Sequence, residues 1–517
     1  MKPLFLGLDI GTLGTKGTLV DIDGQGLARH YIEHPVIRPR PGWAEHAAER
    51  AWWEDICAVT RAILGAAGVD SRRVAGVAVS GLTPCLGFVD EDGHLLRNGI
   101  LYSDNRAVTE LAEVNAVLPH PITLEMVLPK LLWVKRHEPE VFRRAAVVLN
   151  ANSYAIFRLT GKYSIDIDNA AMWGGVFDPQ KLTWDEALGE RLGVPTSLLP
   201  PLYTTADIVG GVTEEAARVT GLAPGTPVVC GTGDSFFALL GSGCVEPGDM
   251  MVNFAAAGTS IICLVELEKV VRTVHLSDKR GLVRFGASIL TTGDLVRWFR
   301  DQFGQVEMAE AARTGGSPYS LLDAEAAAAP PGSDGLVLIP HFLGRRTPTA
   351  NALARGTIFG LTTFHTKGHI FRAALESFAY GVLDSMGDLD SRVRRVVATG
   401  GGATSRLWRQ IMSDALDRSI EYVAGAEGPL GAAFLAAYAT GHFSSFRQVH
   451  DWLPVTEVTV PDAAAQAVYR RMYAVYRQVS DRLEDCYPPL HQALTGEGEA
   501  DTGPAKTEGT TETEEKS

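Results

Sequence analysis

The stretch Asp9-Ile10-Gly11-Thr12-Leu13-Gly14-Thr15-Lys16-Gly17 packs a carboxylate, glycines, two hydroxyls and an amine into nine positions. Glycine lets a backbone approach a phosphate closely and present N–H groups to it. Thr12 and Thr15 add donors and Lys16 adds charge. Asp9, at the end of an apolar run, is suited to hold Mg²⁺ through water, which that ion keeps readily. The same stretch would also serve as a plain glycine-rich hairpin turn. A second group is Gly231-Thr232-Gly233-Asp234-Ser235. A carboxylate placed after a strand and opening a helix can project into a cleft and take a proton from an attacking hydroxyl. Aspartate there is equally a good helix N-cap. Ala257-Gly258-Thr259-Ser260 and Gly400-Gly401-Gly402-Ala403-Thr404-Ser405 are two further Gly/Thr/Ser loops. The triple glycine leaves room for a flat ligand beside the backbone, and each loop alone also reads as a tight turn. There is no G-x-x-x-x-G-K-[ST], no complete G-x-G-x-x-G after a strand, no H-E-x-x-H and no G-x-S-x-G.

The elements that must carry these loops follow from patterning. Leu4 to Asp9 is apolar enough for a buried strand, Gly11 to Gly17 is expected to turn, and Thr18 to Asp21 to return as a strand. Trp52, Trp53, Ile56, Val59 and Ile63 give one apolar face to a helix over Glu49–Gly65, where the two tryptophans read as core. A strand is expected at Val74–Ser80, and helices at Val127–His137 and Ala151–Leu159. Val228–Cys230 reads as a strand leading into a helix over Ser235–Gly243. Strands Met250–Ala255 and Ser260–Val265 flank a turn at Ala256–Thr259. That pattern echoes the opening hairpin and implies two halves of related fold. Further expectations are strands at Val337–Pro340 and Arg394–Ala398, and helices over His369–Met386 and Arg406–Leu416.

The chain has 517 residues, enough for two large domains. Lys plus Arg is 47 against 61 Asp plus Glu, a net charge of −14. That balance argues against sequence-independent nucleic-acid binding, which needs a basic surface. It leaves ATP open, since a nucleotide site needs only local N–H groups and a metal. No window approaches a membrane-spanning apolar run, and the N-terminus lacks the apolar core of an export signal. The six cysteines show no C-x-x-C spacing, so free buried thiols in a reducing cytoplasm are expected. Residues 496–517 hold seven acids, two lysines and almost no apolar side chains, and are expected to be a disordered acidic tail.

In their order along the chain these loops resemble the FGGY family of carbohydrate kinases, and within it the sequence is most similar to xylulokinases. Asp9–Gly17 matches the family's first phosphate motif and Gly258-Thr259-Ser260 its second. Gly400-Gly401-Gly402-Ala403-x-Ser405-x-x-Trp408-x-Gln410 matches its adenosine motif. Gly356-x-Ile358-x-Gly360-Leu361 with His369-Ile370-x-x-Ala373-Ala374-Leu375-Glu376 fits the C-terminal signature. Pro129-Lys130-Leu131-Leu132-Trp133 fits most of the N-terminal one. Pro41-Gly42-Trp43-x-Glu45 and Ile100-Leu101-Tyr102-x-Asp104-x-Arg106 are further landmarks. The resemblance covers about residues 4 to 480. It implies an α/β fold of two RNase H-like domains, of the actin/hexokinase type, around a central cleft. Residues 1–247 would carry sugar and base, and 248–490 the nucleotide. It implies transfer of the γ-phosphoryl group of ATP, with Mg²⁺, to a sugar hydroxyl, with D-xylulose or a related ketopentose as acceptor. Asp234 then corresponds to the catalytic base, and Asp9 to the carboxylate near Mg²⁺ and the phosphates. Gly11, Thr12, Thr15, Lys16, Gly258, Thr259, Gly400, Gly401, Gly402, Ser405 and Gln410 would hold the nucleotide. A homodimer is common in the family.

The sugar side departs from the xylulokinase pattern. Ser80-Gly81-Leu82-Thr83-Pro84-Cys85 stands where xylulokinases carry Ser-Gly-Gln-Met-His-Gly. Thr83 and Pro84 thus replace a pair that touches the sugar, and a histidine's donor and acceptor are lost. Ser235 stands where Asn is common and Arg345 where Glu is usual. Thr83, Pro84, Trp43, Asp104, Asp234 and Ser235 make the expected sugar-side set. Another ketose, a deoxy sugar or a polyol is the alternative acceptor. A non-catalytic nucleotide-gated regulator is the remote one. Asp166 and Asp168, two apart on an expected strand, would cap buried backbone or hold a cation.

Overall fold

The computed structural model describes residues 2–255, 258–266, 282–290 and 292–495. The acidic segment 496–517 and the expected turn at Ala256 and Ala257 lie outside them. Two six-stranded mixed sheets organise the chain. The first takes β1 (Leu4–Ile10), β2 (Gly14–Asp21), β3 (Gly26–Glu33), β4 (Val74–Gly81), β5 (Ile208–Gly211) and β6 (Pro227–Val229), in the order β5-β6-β4-β1-β2-β3. The second takes β7 (Asp249–Ala255), β8 (Gly258–Glu266), β9 (Leu282–Leu290), β10 (Arg395–Thr399), β11 (Ile420–Tyr422) and β12 (Glu457–Thr459), in the order β9-β8-β7-β10-β11-β12. In each sheet the first three strands form an antiparallel meander, the first pairs parallel with the fourth, and an antiparallel strand closes the far edge. The echo between the two opening hairpins is therefore an echo of whole sheets.

The parallel strands are apolar because helices cover them. β1 is buried at every position. Helix α1 (Asp55–Ala67) follows a π-helical segment, Glu49–Glu54, in which Trp52 and Trp53 are buried. Trp52, Ile56, Val59 and Ile63 then share a core with Leu4, Leu6 and Leu8 of β1. The helices α2 (Val127–His137) and α3 (Ala151–Thr160) form where the sequence places them. So does α6 (Arg406–Leu416), after α5 (Lys367–Met386).

Two helices tie the halves together. α4 (Asp234–Gly241) leaves the first sheet and α7 (Gly428–Ala439) leaves the second. Phe236, Phe237, Leu239 and Leu240 of α4 share one core with Phe5 and Ala78 of the first sheet, Met251, Ile262 and Val397 of the second, and Ala432–Ala437 of α7.

Several sequence expectations shift. The hairpin tip is only Gly11–Leu13, because Thr15–Gly17 pairs with β1 on one side and Gly14–Gly17 with β3 on the other. Gly258 and Thr259 already belong to β8, paired with Ala255 and Phe254. Asp168 is not on a strand: only Ile165–Asp166 is, and Asp166 caps the short helix Ile167–Ala171 by accepting from the amides of Asp168 and Asn169. Cys486 is exposed, whereas the other five cysteines are free and buried.

Candidate active site

A cleft of about 1310 Å³ lies between the two sheets. It is lined by Asp9 and Lys16 from the β1–β2 hairpin, Asp234 and Ser235 from the start of α4, Gly400 and Gly401 beyond β10, and Glu427 and Gly428 at the start of α7. The strand-end position of Asp9 follows from β1: its neighbours are core, and Asp9 emerges where the sheet ends.

Asp9 is 5% exposed. The Ser80 hydroxyl donates to its Oδ1 at 2.7 Å. Lys16 Nζ stands 3.5 Å from Oδ2. Burial opposes the Lys16 charge, but Asp9, Glu427 and Asp234 together outweigh it and hold the ammonium above its ordinary value. Three carboxylates and one amine therefore share a single field. Asp234 opens α4 behind Gly233, where the positive end of the helix favours a carboxylate.

The triple-glycine loop is shaped by backbone need. Gly400 has φ 85°, and a Cβ there would stand 2.5 Å from Asn253 Oδ1 and 2.8 Å from the Phe254 carbonyl oxygen. Only glycine fits so close to β7 in that conformation. A Cβ at Gly402 would meet the Trp408 ring at 2.6 Å. Ser405 caps α6, accepting from the Trp408 amide at 3.0 Å. Gln410 donates to Asp414 Oδ1 at 2.7 Å and to the Val460 carbonyl at 2.9 Å. Neither Ser405 nor Gln410 lines the cleft; both brace the loop's supporting helix.

Thr15 is fully buried and its hydroxyl donates to the Ala51 carbonyl at 3.1 Å, so it faces the core while Lys16 faces the cleft. On the opposite side, Thr83 Oγ1 donates to Asn169 Oδ1 at 2.6 Å and Asn169 Nδ2 to Asp166 Oδ2 at 2.6 Å. Burial pushes the Asp166 carboxyl up to about 6, against the pull of the Thr232 hydroxyl and the Asn169 donors. A Cβ at Gly233 would stand 2.3 Å from Thr83 Cγ2. Thr83 therefore touches the loop that carries Asp234. Pro84 is buried beside it.

Trp43 and Asp104 belong to a supporting cluster. The Arg106 guanidinium lies 3.7 Å from the Trp43 ring centroid. It also bonds Asp104 Oδ1 at 2.8 Å and Glu45 at 2.7 Å. Asp104 is fully buried and its Oδ2 accepts from the Ala44 amide at 2.6 Å. The two family signatures are likewise braces. Lys130 Nζ donates to the carbonyls of Leu124 and Glu125 at 2.7 and 2.8 Å. Arg372 pairs with Glu376 at 2.9 Å, and Glu376 accepts from the Gly332 amide and the Ser333 hydroxyl, both at 2.9 Å.

Sequence reasoning missed Glu427, Gly428, Asn253 and the β3 wall, Leu27 to Tyr31, all of which line the cleft. The signal for the first two was Gly428-Pro429 ahead of a small-residue run, the pattern of a helix start.

Residues 4–241 match the FGGY family of carbohydrate kinases, N-terminal domain, and residues 253–440 match the C-terminal domain of the same family. The chain belongs to the FGGY family of carbohydrate kinases. It is 30% identical to the xylulose kinase of Escherichia coli (strain K12), over 93% of this chain and 99% of that one. It is also 30% identical to the gluconokinase of Bacillus subtilis (strain 168), over 95% of this chain and 98% of that one. The crystal structure of xylulose kinase from Rhodospirillum rubrum superposes with a TM-score of 0.83 at 32% identity, covering 94% of this chain and 99% of that one. The two sheets are thus the two halves of an actin/hexokinase-type sugar kinase. No helix among the described residues is long and apolar enough to cross a membrane.

Proposed function

We propose that this FGGY kinase moves the γ-phosphoryl group of ATP to a hydroxyl of a small sugar, with D-xylulose or a related ketopentose as the leading acceptor. The observation that supports it is one cleft joining Asp9 and Lys16 with Asp234 on one wall and Gly400-Gly401 on the other. Sugar and base would belong to residues 1–247 and the nucleotide to 248–490. Phosphoryl transfer asks mainly for in-line positioning and charge neutralisation. Lys16 supplies positive charge beside the phosphates. Gly401, with nothing within 4 Å of its Cβ position, leaves space for the nucleoside, while Gly400 seats the loop on β7. Asp234 holds the acceptor hydroxyl and takes its proton as the new P–O bond forms. Closure of the cleft would exclude water, which otherwise competes as acceptor.

The residues present fit Mg²⁺. Asp9 offers a hard oxygen ligand, and Gly428 leaves room beside it: a Cβ there would stand 3.4 Å from Asp9 Oδ2. Mg²⁺ held there would offset the charge of the phosphate oxygens.

A second reading has a specific basis. Thr83 and Pro84 replace the sugar-touching pair of xylulokinases, and a gluconokinase is as similar in sequence as a xylulose kinase. A site built to bond a particular hydroxyl discriminates by orders of magnitude. The test is ADP release from ATP and Mg²⁺ across D-xylulose, other ketoses, deoxy sugars, polyols and D-gluconate. The leading reading expects D-xylulose or a close ketopentose to be preferred. A wide margin for another acceptor would replace it with the second.

A further inference from the structure

The carbonyls of all three residues at the β1–β2 hairpin tip are held from outside the loop. His34 Nε2 faces the Gly11 oxygen at 3.0 Å and His46 Nε2 the Thr12 oxygen at 3.0 Å. The Leu13 oxygen accepts from the His34 amide at 3.1 Å and from the Tyr31 hydroxyl at 3.0 Å. In a trans peptide the C=O and the following N–H point opposite ways. Pulling these oxygens back toward His34 and Tyr31 at the end of β3 and toward His46 therefore turns the amides of Thr12, Leu13 and Gly14 the other way. Successive amides turned to one side make an anion-binding nest.

The two rings are fixed by their other partners. Trp52 Nε1 can only donate, and it donates to His46 Nδ1 at 3.1 Å. His46 therefore carries its proton on Nε2 and gives it to Thr12. Burial, and then the neighbouring His34 ring, push His46 down to about 4, which keeps it in that neutral form. Both nitrogens of His34 face acceptors, the second being the Asp55 carboxylate at 2.8 Å from Nδ1. The ring is thus held between Asp55 of α1 and the Gly11 oxygen of the tip. His34 and His46 are 2% and 0% exposed, so neither reaches a ligand itself.

We propose that His34 and His46 are positioning residues that fix the Gly11–Leu13 tip with its amides set for the phosphates of the bound nucleotide. This rests on the reading of the cleft as the ATP site. A histidine pair that merely filled the core would not aim Nε2 of both rings at adjacent carbonyls.

Asparagine keeps a donor at the place of Nδ1, and glutamine at the place of Nε2. His34→Asn therefore keeps the Asp55 link and drops Gly11, while His34→Gln does the reverse. His46→Leu drops Thr12 and His46→Gln keeps it. The full chain is titrated calorimetrically with ADP and Mg²⁺, and with adenosine. His34→Asn and His46→Leu are expected to weaken ADP about tenfold, the scale of one hydrogen bond. The two glutamine variants should stay within about twofold, with adenosine affinity unchanged throughout. Tyr31→Phe, at an exposed position where folding is not at stake, should weaken ADP about threefold. Equal ADP affinity across the set, equal losses in asparagine and glutamine variants, or a matching loss for adenosine would overturn the proposal. A wild-type chain that binds no ADP would overturn the kinase reading itself.

Discussion

Gly431 and Phe237 meet where the two linking helices cross: a Cβ at Gly431 would stand 2.3 Å from the Phe237 carbonyl oxygen and 2.7 Å from the Gly241 amide nitrogen. α4 and α7 thus touch backbone to backbone, with no side chain between them. That contact sets the distance between the loop carrying Asp234 and the segment carrying Glu427, which lie one at the start of each helix.

Gly431→Ala should force the helices apart. Overpacking against backbone costs about 1–3 kcal/mol, and turnover should fall with it because the carboxylates of the cleft separate. Gly65, inside α1, has nothing within 4 Å of its Cβ position. Gly65→Ala should stabilise the chain by about 0.5–1 kcal/mol with activity unchanged. Chemical unfolding of the two variants, with initial rates alongside, checks both directions.

Thr83→Val keeps the shape that packs on Gly233 and removes the donor to Asn169 Oδ1. A buried acceptor left unpaired costs about 1–3 kcal/mol. Because Asn169 leads through Asp166 to Thr232, the loss should register on the sugar side. The acceptor KM is expected to rise about fivefold to tenfold, with the KM for ATP unmoved. Steady-state kinetics with each substrate varied in turn would show the split, and a rise in both constants would count against it.

Asp166 gives a pH dependence with a definite sign. Its folded carboxyl titrates near 6 against an ordinary 3.8, because burial disfavours the charge. The folded state thus holds a proton that the unfolded state has lost between those values. The stability contribution is complete below about pH 4 and disappears as pH rises through 6. Relative to Asp166→Asn, the wild type should lose stability across that window and hold a constant difference above it. Urea unfolding at half-unit pH steps reads this directly.

The parts of this architecture that were legible in the sequence are those with local causes. The sequence predicts α6 over the same bounds, Arg406–Leu416, and the structure adds the cap that Ser405 gives its start. α2 is predicted likewise, between Met126 and the break at Glu138-Pro139. The turn expected over Gly11–Gly17 came out shorter because Thr15–Gly17 also pairs on both edges, a long-range cause that glycine content does not reveal. The cleft shows the same limit. Asp9, Asp234 and Gly400 stood out through their loops, whereas Glu427 reaches the cleft only because α7 packs on the other half's sheet. Thr15 and Lys16 are neighbours of like promise in the sequence, and strand alternation alone sends one to the core and one to the cleft. Gln410 carries a motif position yet spends its amide on Asp414 and Val460.

The most direct test of the account is Asp234→Asn, assayed with ATP, Mg²⁺ and the preferred acceptor and titrated with ADP. A lost general base should lower kcat about 10²–10⁴-fold, while ADP affinity stays within about twofold. Turnover near the wild-type rate would contradict the role given to Asp234. Loss of ADP binding in step with turnover would instead make it a nucleotide ligand and displace the proton-transfer step from this cleft wall.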